Sequence, residues 1–246
     1  MINPHSTNND ISLDTLSVIK KAENFNRWMY KTIKPYCSGQ ILEIGSGIGN
    51  ISQFFLRDGY HMTLSDIRSD YCENLRSQLS AFGNLKGIIR LDIVHSDFEK
   101  EYRSHFSKYD TIFALNVIEH VPDDNLAIRN CQFLLKSEGK LIILVPAHPQ
   151  LYNNFDKGLQ HYRRYTKKSL NTVIIKNNFK VIRSKYFNAV GMLGWYISGK
   201  RQKNETIPKD QMKLYDKLVT VAKLIDSILL NRVGLSVITI AQNNES

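Results

Sequence analysis

The sequence has little that would staple it, carry it across a membrane or lead it out of a cell. Its three cysteines, Cys37, Cys72 and Cys131, stand far apart with no CxxC pair. That excludes a disulfide framework and offers no zinc-site spacing, so no metal is expected. The longest apolar runs, LIILVPA (141–147) and AVGMLGWYI (189–197), fall well short of the roughly 18 residues of a bilayer-spanning helix. The first twenty residues, MINPHSTNNDISLDTLSVIK, are polar and carry acids, without the basic start and apolar centre of a secretory leader. A cytoplasmic protein is expected. No repeat, low-complexity block or Pro/Gly/Ser linker divides the 246 residues, a length that suits one α/β domain with an added lobe.

Acidic charge is also in deficit, with 23 Asp+Glu against 33 Lys+Arg and a net charge of +10. Such an excess favours polyanions, anionic membrane surfaces or phosphorylated substrates, although lysines simply solvated on the surface produce the same number. What is present is a rhythm. Buried-type strands at QILEIG (40–45), HMTLSD (61–66), GIIRLDI (87–93), DTIFALN (110–116) and KLIILVP (140–146) alternate with ISQFFLRDG, YCENLRSQLSAFG and DDNLAIRNCQFLLKSEG. Each of these three ends in a glycine that suits a helix stop or the turn beyond it. In the third, Leu126, Phe133 and Leu134 define one apolar face. The alternation argues for a parallel sheet with helices on both faces. FKVIRSKYF (179–187) and LSVITIAQ (235–242) supply a last pair of strands, the second free to form a hairpin with the first. The expected fold is α/β: a Rossmann-like, doubly wound, mostly parallel seven-stranded sheet with a final antiparallel hairpin strand and an inserted cap segment. Four regions follow: an N-terminal helical segment (1–36) that can fold over the sheet's carboxyl edge, a nucleotide-binding core (37–146), an acceptor or cap segment (147–210), and a C-terminal helix with the last strand (211–246).

The stretch ILEIGSGIGN (41–50) runs a strand into a glycine turn, the usual cradle of a nucleotide. A dinucleotide fingerprint wants GxGxxG; here the glycines are Gly45, Gly47 and Gly49, and Asn50 follows. Glu43 is the stronger signal. A carboxylate beside the turn repels a pyrophosphate, which needs positive or neutral surroundings, yet attracts the ammonium and sulfonium of S-adenosylmethionine. Asp66 closes the second strand about twenty residues on, suited to the ribose hydroxyls. Asp92 closes the third, where its oxygen can meet the adenine amino group and the Ile93 N–H a ring nitrogen. A lone aspartate at a strand end is often only a turn former. Three acids on three consecutive strands beside a glycine turn point to one ligand.

ILEIGSGIGN, TLSDI, RLDIVHSD, ALNVIEHVPDD and GKLIILVPAHP together resemble the class I S-adenosylmethionine-dependent methyltransferases. The resemblance extends to a bacterial subfamily whose members occur alone or fused to a glycosyltransferase. It carries VPAHPxLYxxxD, HYRRYTKKSL, YFNxxGxxGW and GLSVITIA segments and covers roughly residues 24 to 242. It implies S-adenosyl-L-methionine as cofactor, lined by Glu43, Gly45, Gly47, Asp66, Asp92 and Asn116, with Ser46, Gly49, Ile67 and Ile93 beside them.

The donor says little about the acceptor. No NPPY-type motif is present to hold an exocyclic base amine; the fourth strand ends in NVIEH. No cysteine follows a sheet strand, which argues against a cysteine-nucleophile pyrimidine methyltransferase. The segment AHPQLYNNFDKGLQHYRRYTKKSL (147–170) must pass over the cofactor edge with bases, aromatics and fixed positive charge. His161 and Arg164, three apart, would share a face if helical, and the arginine suits a carboxylate or phosphate. Tyr162 and His120 complete the candidate catalytic set; Arg163 and Lys167 read as solvated or paired. Trp28 and Tyr30 read as packing residues that could close over the cofactor. The expected activity is methyl transfer, with oxygen favoured, to a small molecule: a saccharide, lipid-linked glycan or secondary metabolite. The saccharide follows from the glycosyltransferase fusions by analogy. Peripheral membrane contact is compatible with the charge. The alternatives are an RNA or protein methyltransferase using the basic surface, and a non-catalytic S-adenosylmethionine-binding protein.

Overall fold

A computed structural model describes residues 15–201 and 208–244. Its strands are β1 (Gln40–Ile44), β2 (His61–Asp66), β3 (Leu85–Arg90), β4 (Tyr109–Leu115), β5 (Leu135–Pro146), β6 (Phe179–Phe187) and β7 (Ser236–Asn243). The α-helices are α1 (Glu23–Ile33), α2 (Ser52–Arg57), α3 (Ser69–Leu79), α4 (Phe98–Glu101), α5 (Asp124–Leu134), α6 (Asn154–Gly158), α7 (Lys167–Lys176), α8 (Ala189–Trp195) and α9 (Lys209–Ile228). One seven-stranded sheet runs in the order β3-β2-β1-β4-β5-β7-β6. The first five strands are mutually parallel, and β7 is antiparallel to both β5 and β6. This is the Rossmann-like, mostly parallel sheet with an antiparallel strand near its end that the sequence pattern predicts.

Side chains that alternate along each strand reach opposite faces, and both faces are covered. Leu42, Ile44, Ile112, Ala114, Leu141 and Ile143 belong to one buried cluster with Ile128 of α5 and Leu170 of α7. Ile41, Leu64, Phe113, Ile142 and Leu144 belong to the other, with Phe55 of α2 and Ile33 of α1. Burial on two sides is why the central strands read as near-continuous apolar runs. The chain leaves β1 toward β2 and later returns to β4 on β1's other side. The carboxyl ends of β1 and β4 therefore flank the topological switch point, where ligands of open α/β sheets bind.

Several boundaries differ from the expectation. β3 stops at Arg90, so Asp92 lies two residues past the strand, where its Oδ1 accepts from the Val94 N–H at 3.0 Å in a tight turn. β5 starts at Leu135, directly after α5; Leu135 pairs with Tyr109 before the register jumps to Lys140 opposite Thr111, and Glu138 at φ 59° bends the chain between. The buried face of α5 is Ala127, Ile128, Cys131 and Leu134, with Leu126 and Phe133 only partly covered. The final two strands pair antiparallel, but residues 188–235, including α8 and α9, separate them.

The N-terminal region also departs from its expected place. α1 packs on a sheet face, because Trp28, Met29, Tyr30 and Ile33 form one apolar side. The Trp28 ring lies 4.3 Å from that of Phe187, and Tyr30 stacks on Phe54. Phe187 is the last residue of β6, level with Pro146 at the end of β5, so Trp28 packs toward the carboxyl end of the sheet, while Tyr30 packs on α2; both are buried packing residues. Residues 15–20, also helical, reach the carboxyl edge itself. Asn50 Nδ2 donates to the Leu16 carbonyl at 3.3 Å, and a Cβ on Gly47 would stand 3.3 Å from Leu16 Cδ1. Residues 10–14 lie outside the described residues. The segment 147–210 is not wholly apart from the sheet either: α7 and β6 lie within it and complete the sheet layer.

Candidate active site at the carboxyl edge of the sheet

The turn after β1 needs its glycines. Gly45, Gly47 and Gly49 all adopt positive φ, at 69°, 54° and 80°, a region costly for residues with a Cβ. At Gly45 a Cβ would stand 2.4 Å from Val117 Cγ2, so the Val117 side chain packs directly on the Gly45 backbone. Asp66, at the end of β2, holds the cradle together: its Oδ2 accepts from the Gly47 N–H at 2.9 Å and its Oδ1 from the Arg68 N–H at 3.0 Å. Burial raises its pKa, opposed by those two backbone donors. The Ser46 N–H donates to the Ser65 carbonyl at 2.8 Å, binding the same two turns.

Glu43 lies deeper than the sequence suggests. Its side chain is buried and its Oε2 accepts from the Ser52 hydroxyl of α2. Burial pushes its pKa up to about 8, against the lowering effect of the Ser52 and Ser46 hydroxyls. Ile67 is exposed beside Asp66, Asn116 is exposed at φ 56° with its N–H on the Leu144 carbonyl, and Ile93 is buried in the core. The structure thus brings Gly45, Ser46, Gly47, Gly49, Asp66 and Ile67 to one end of the β1–β2 pair. Asn116 follows β4 on the same edge, and Asp92 follows β3 farther along it.

A second group lies two residues beyond Val117. A short 3₁₀ turn, Ile118–His120, buries Ile118 and Glu119 and leaves His120 exposed. Tyr162 donates its N–H to the Glu119 carbonyl at 2.8 Å, while Tyr165 N–H reaches the Pro146 carbonyl and His148 N–H the Tyr165 carbonyl. These bonds lay residues 161–166 back against the ends of β4 and β5. That stretch is extended, not helical, so His161 and Arg164 do not meet through helical spacing. Asp156 joins them. Its Oδ1 accepts from Arg164 Nε at 2.7 Å and lies 2.8 Å from His161 Nδ1. Its Oδ2 caps α6 through the Asn153 N–H at 2.9 Å.

Arg164 is therefore a framework residue. Its side chain is buried, Nη1 donates to the Ala147 carbonyl at 2.9 Å, and the guanidinium lies over the Trp195 ring at 4.7 Å. These contacts commit Nε and Nη1 to the protein, and only the buried Nη2 is without a partner among the described residues. Arg163 pairs with Asp124 at 3.1 Å, as its reading as a paired surface charge requires. His161 remains the functional candidate: its Nε2 points to within 4.0 Å of Glu119 Oε1, and its ring meets that of His120 edge-on at 4.7 Å. An open cleft of about 450 Å³ is lined by His120, Gln160, His161 and Tyr162. Although the residue is exposed at the cleft mouth, desolvation of its ring by the surrounding protein, and then His161, lower the pKa of His120. Glu119 is fully buried, and burial pushes its pKa up to about 8, opposed by the charge of Arg164.

The sequence reading passed over Glu119, quoting it only within NVIEH. The signal available was a carboxylate flanked by Ile118 and Val121, an apolar setting in which a charged residue needs a reason.

A family model described as a methyltransferase domain matches residues 42–141. Over 117 residues the chain is 34% identical to the lovastatin nonaketide synthase mokA of Monascus pilosus, covering 46% of this chain and 4% of that protein. Over 102 residues it is 26% identical to the ubiquinone biosynthesis O-methyltransferase of Citrobacter koseri, 42% of this chain and 40% of that protein. The chain thus spans less than half the length of these curated relatives. Among solved structures, phosphoethanolamine N-methyltransferase 2 of Haemonchus contortus, in complex with S-adenosyl-L-methionine, superimposes with a TM-score of 0.63 at 16% identity, over 99% of this chain and 59% of that one. The [4+2]-cyclase SpnF superimposes at 0.59 and 14% identity, over 90% and 81%. At such identities the likeness shows the fold alone.

Proposed function

We propose that the protein transfers a methyl group from S-adenosylmethionine to an oxygen of a small-molecule acceptor, a lipid-linked saccharide; the match of residues 42–141 to a methyltransferase-domain model supports the transfer. The observation that carries the cofactor is the cradle of Gly45, Gly47 and Asp66 at the carboxyl ends of β1 and β2, held by the Gly47 N–H to Asp66 Oδ2 bond, with both glycines at positive φ. When bound, the cofactor supplies an electrophilic methyl on a sulfonium.

The chain's own part is to hold the acceptor oxygen beside that methyl and to let its proton go. Val117 faces Gly45, and Glu119 follows two residues later, so the cleft at His120, His161 and Tyr162 adjoins the cofactor edge. Asp156 fixes His161 by its Nδ1, which directs the Nε2 lone pair toward Glu119.

The lipid-linked form of the acceptor is supported by α9. Its outer side exposes Leu214, Leu218, Val221, Leu224 and Ile228, a helical stripe of apolar residues facing solvent. Lys213 and Lys217 are exposed on the same helix, and Lys223 lies close enough to Lys31 and Arg27 for their charges to lower its pKa after burial does. An apolar stripe with a basic rim suits an anionic lipid surface; a second copy of the same rim would repel it. No described helix is long and apolar enough to cross a membrane.

The test is release of S-adenosylhomocysteine on offering lipid-linked saccharides, free sugars and RNA in parallel. Methylated lipid-linked product supports the proposal. Methylation of RNA alone, or cofactor binding without turnover on any of them, would replace it with one of the alternatives.

A further inference from the structure

Glu119, His120 and His161 each offer one metal-ligating atom, and these atoms lie within 4.8 Å of one another at the cleft. Glu119 is the unexplained member. It is fully buried, yet neither Oε1 nor Oε2 has a hydrogen-bond partner among the described residues. A buried carboxyl with two unpaired oxygens is costly unless something positive sits against it. Arg164 contributes favourable charge, but its Nε goes to Asp156 and its Nη1 to the Ala147 carbonyl, and its remaining Nη2 makes no hydrogen bond to Glu119. His161 Nε2, at 4.0 Å, is beyond hydrogen-bond reach of Oε1.

The surroundings of His161 are those of a metal ligand. Asp156 holds its Nδ1 at 2.8 Å, which places the ring proton there and leaves Nε2 as a lone pair toward Glu119 and His120. A carboxylate behind a ligating imidazole fixes its orientation and raises its basicity. Asp156 is itself fixed by Arg164 and by the Asn153 N–H.

We propose that Glu119, His120 and His161 bind a single zinc ion. Two imidazoles and one carboxylate suit zinc. Bond lengths of about 2.0–2.1 Å at a tetrahedral centre place donors about 3.4 Å apart, so the 4.0 Å pair needs only a small side-chain rotation. Magnesium prefers oxygen ligands in a tighter octahedron and fits this set less well. Three protein ligands leave a fourth position, and the cleft beside His120, Gln160 and Tyr162 supplies its opening. An acceptor hydroxyl entering there would be acidified by the ion and give its proton to solvent water. That role rests on the methyl-transfer reading; the binding of zinc does not. The two ligand segments are distant in sequence, which is why no local spacing announces the site.

The experiment uses untagged, full-length protein stripped with a chelator. Zinc is titrated by calorimetry, and cobalt(II) is titrated while the visible spectrum is recorded. One equivalent of zinc should bind with a Kd below about 1 μM, and cobalt should give the intense visible bands of a four-coordinate site. Asp156→Asn should weaken binding about 10- to 100-fold, and Glu119→Gln by more. Absence of stoichiometric binding, or equal affinity in wild type and Glu119→Gln, overturns the proposal. If Glu119→Gln does not fold, His120→Ala at the exposed position is read by the same criterion. S-adenosylmethionine titrated into the same metal-free protein keeps the two readings apart. Cofactor binding without zinc binding removes the metal site alone; zinc binding without cofactor binding leaves the site standing and removes the methyltransferase reading.

Discussion

Asp66 accepts the Gly47 N–H at 2.9 Å, so one carboxylate ties the turn after β1 to the turn after β2. On the proposed reading the same carboxylate also meets the cofactor's ribose. Asp66→Ala should therefore weaken S-adenosylmethionine binding by about 1–3 kcal/mol, the loss of charge-assisted hydrogen bonds. Calorimetry on wild type and variant measures it. Unchanged affinity would confine Asp66 to shaping the turn.

Arg164→Ala should cost stability. The substitution leaves Asp156 buried without its cation, and a buried ion pair broken on one side costs about 3–5 kcal/mol. Urea unfolding should show the loss, with Arg164→Lys recovering only part of it because the contact through Nη1 to the Ala147 carbonyl needs the guanidinium fork. A change below about 0.5 kcal/mol would mark Arg164 as an ordinary surface charge.

The two raised glutamates give the metal-free protein a pH signature. Glu43 and Glu119 keep their protons to about pH 8 when folded, from an ordinary value of 4.5. Between those values the folded state binds more protons than the unfolded, so stability falls as pH rises. The lowered pKa of His120 acts in the opposite direction, but only below its ordinary 6.5. From pH 6.5 to 8 the glutamates dominate, and stability should decline by roughly 1–3 kcal/mol. Glu119→Gln should flatten that slope. A thermal midpoint that rises across this window would contradict the assignment.

The α9 stripe predicts lipid binding. The protein should float with vesicles containing anionic lipid and stay behind with neutral ones, and added salt should release it. Leu218→Asp combined with Ile228→Asp should abolish flotation with little change in melting temperature, since both side chains are exposed. Flotation unaffected by the pair would move the lipid contact elsewhere.

The strands were legible because burial on both faces writes itself as apolar runs, as in LIILVP of β5. The cofactor cradle was legible because positive φ leaves glycine at Gly45, Gly47 and Gly49. The second site was only half legible. His161 and Arg164 were singled out on an assumed helical spacing, whereas their actual link is Asp156, an aspartate that also caps α6. Glu119 carried no spacing signal, since its partners arrive from a segment folded back along β4 and β5. Likewise α1 buries Trp28 and Ile33 on a sheet face, with only Trp28 packed toward the carboxyl end on Phe187; periodicity shows that a helix has an apolar side and leaves open what it covers.

The most direct measurement is titration of the purified chain with S-adenosylmethionine and, separately, with NAD. The cradle of Gly45, Gly47 and Asp66 predicts one equivalent of S-adenosylmethionine bound, weakened in Asp66→Ala, and no measurable uptake of NAD. Tight binding of NAD with none of S-adenosylmethionine would contradict the account at its centre.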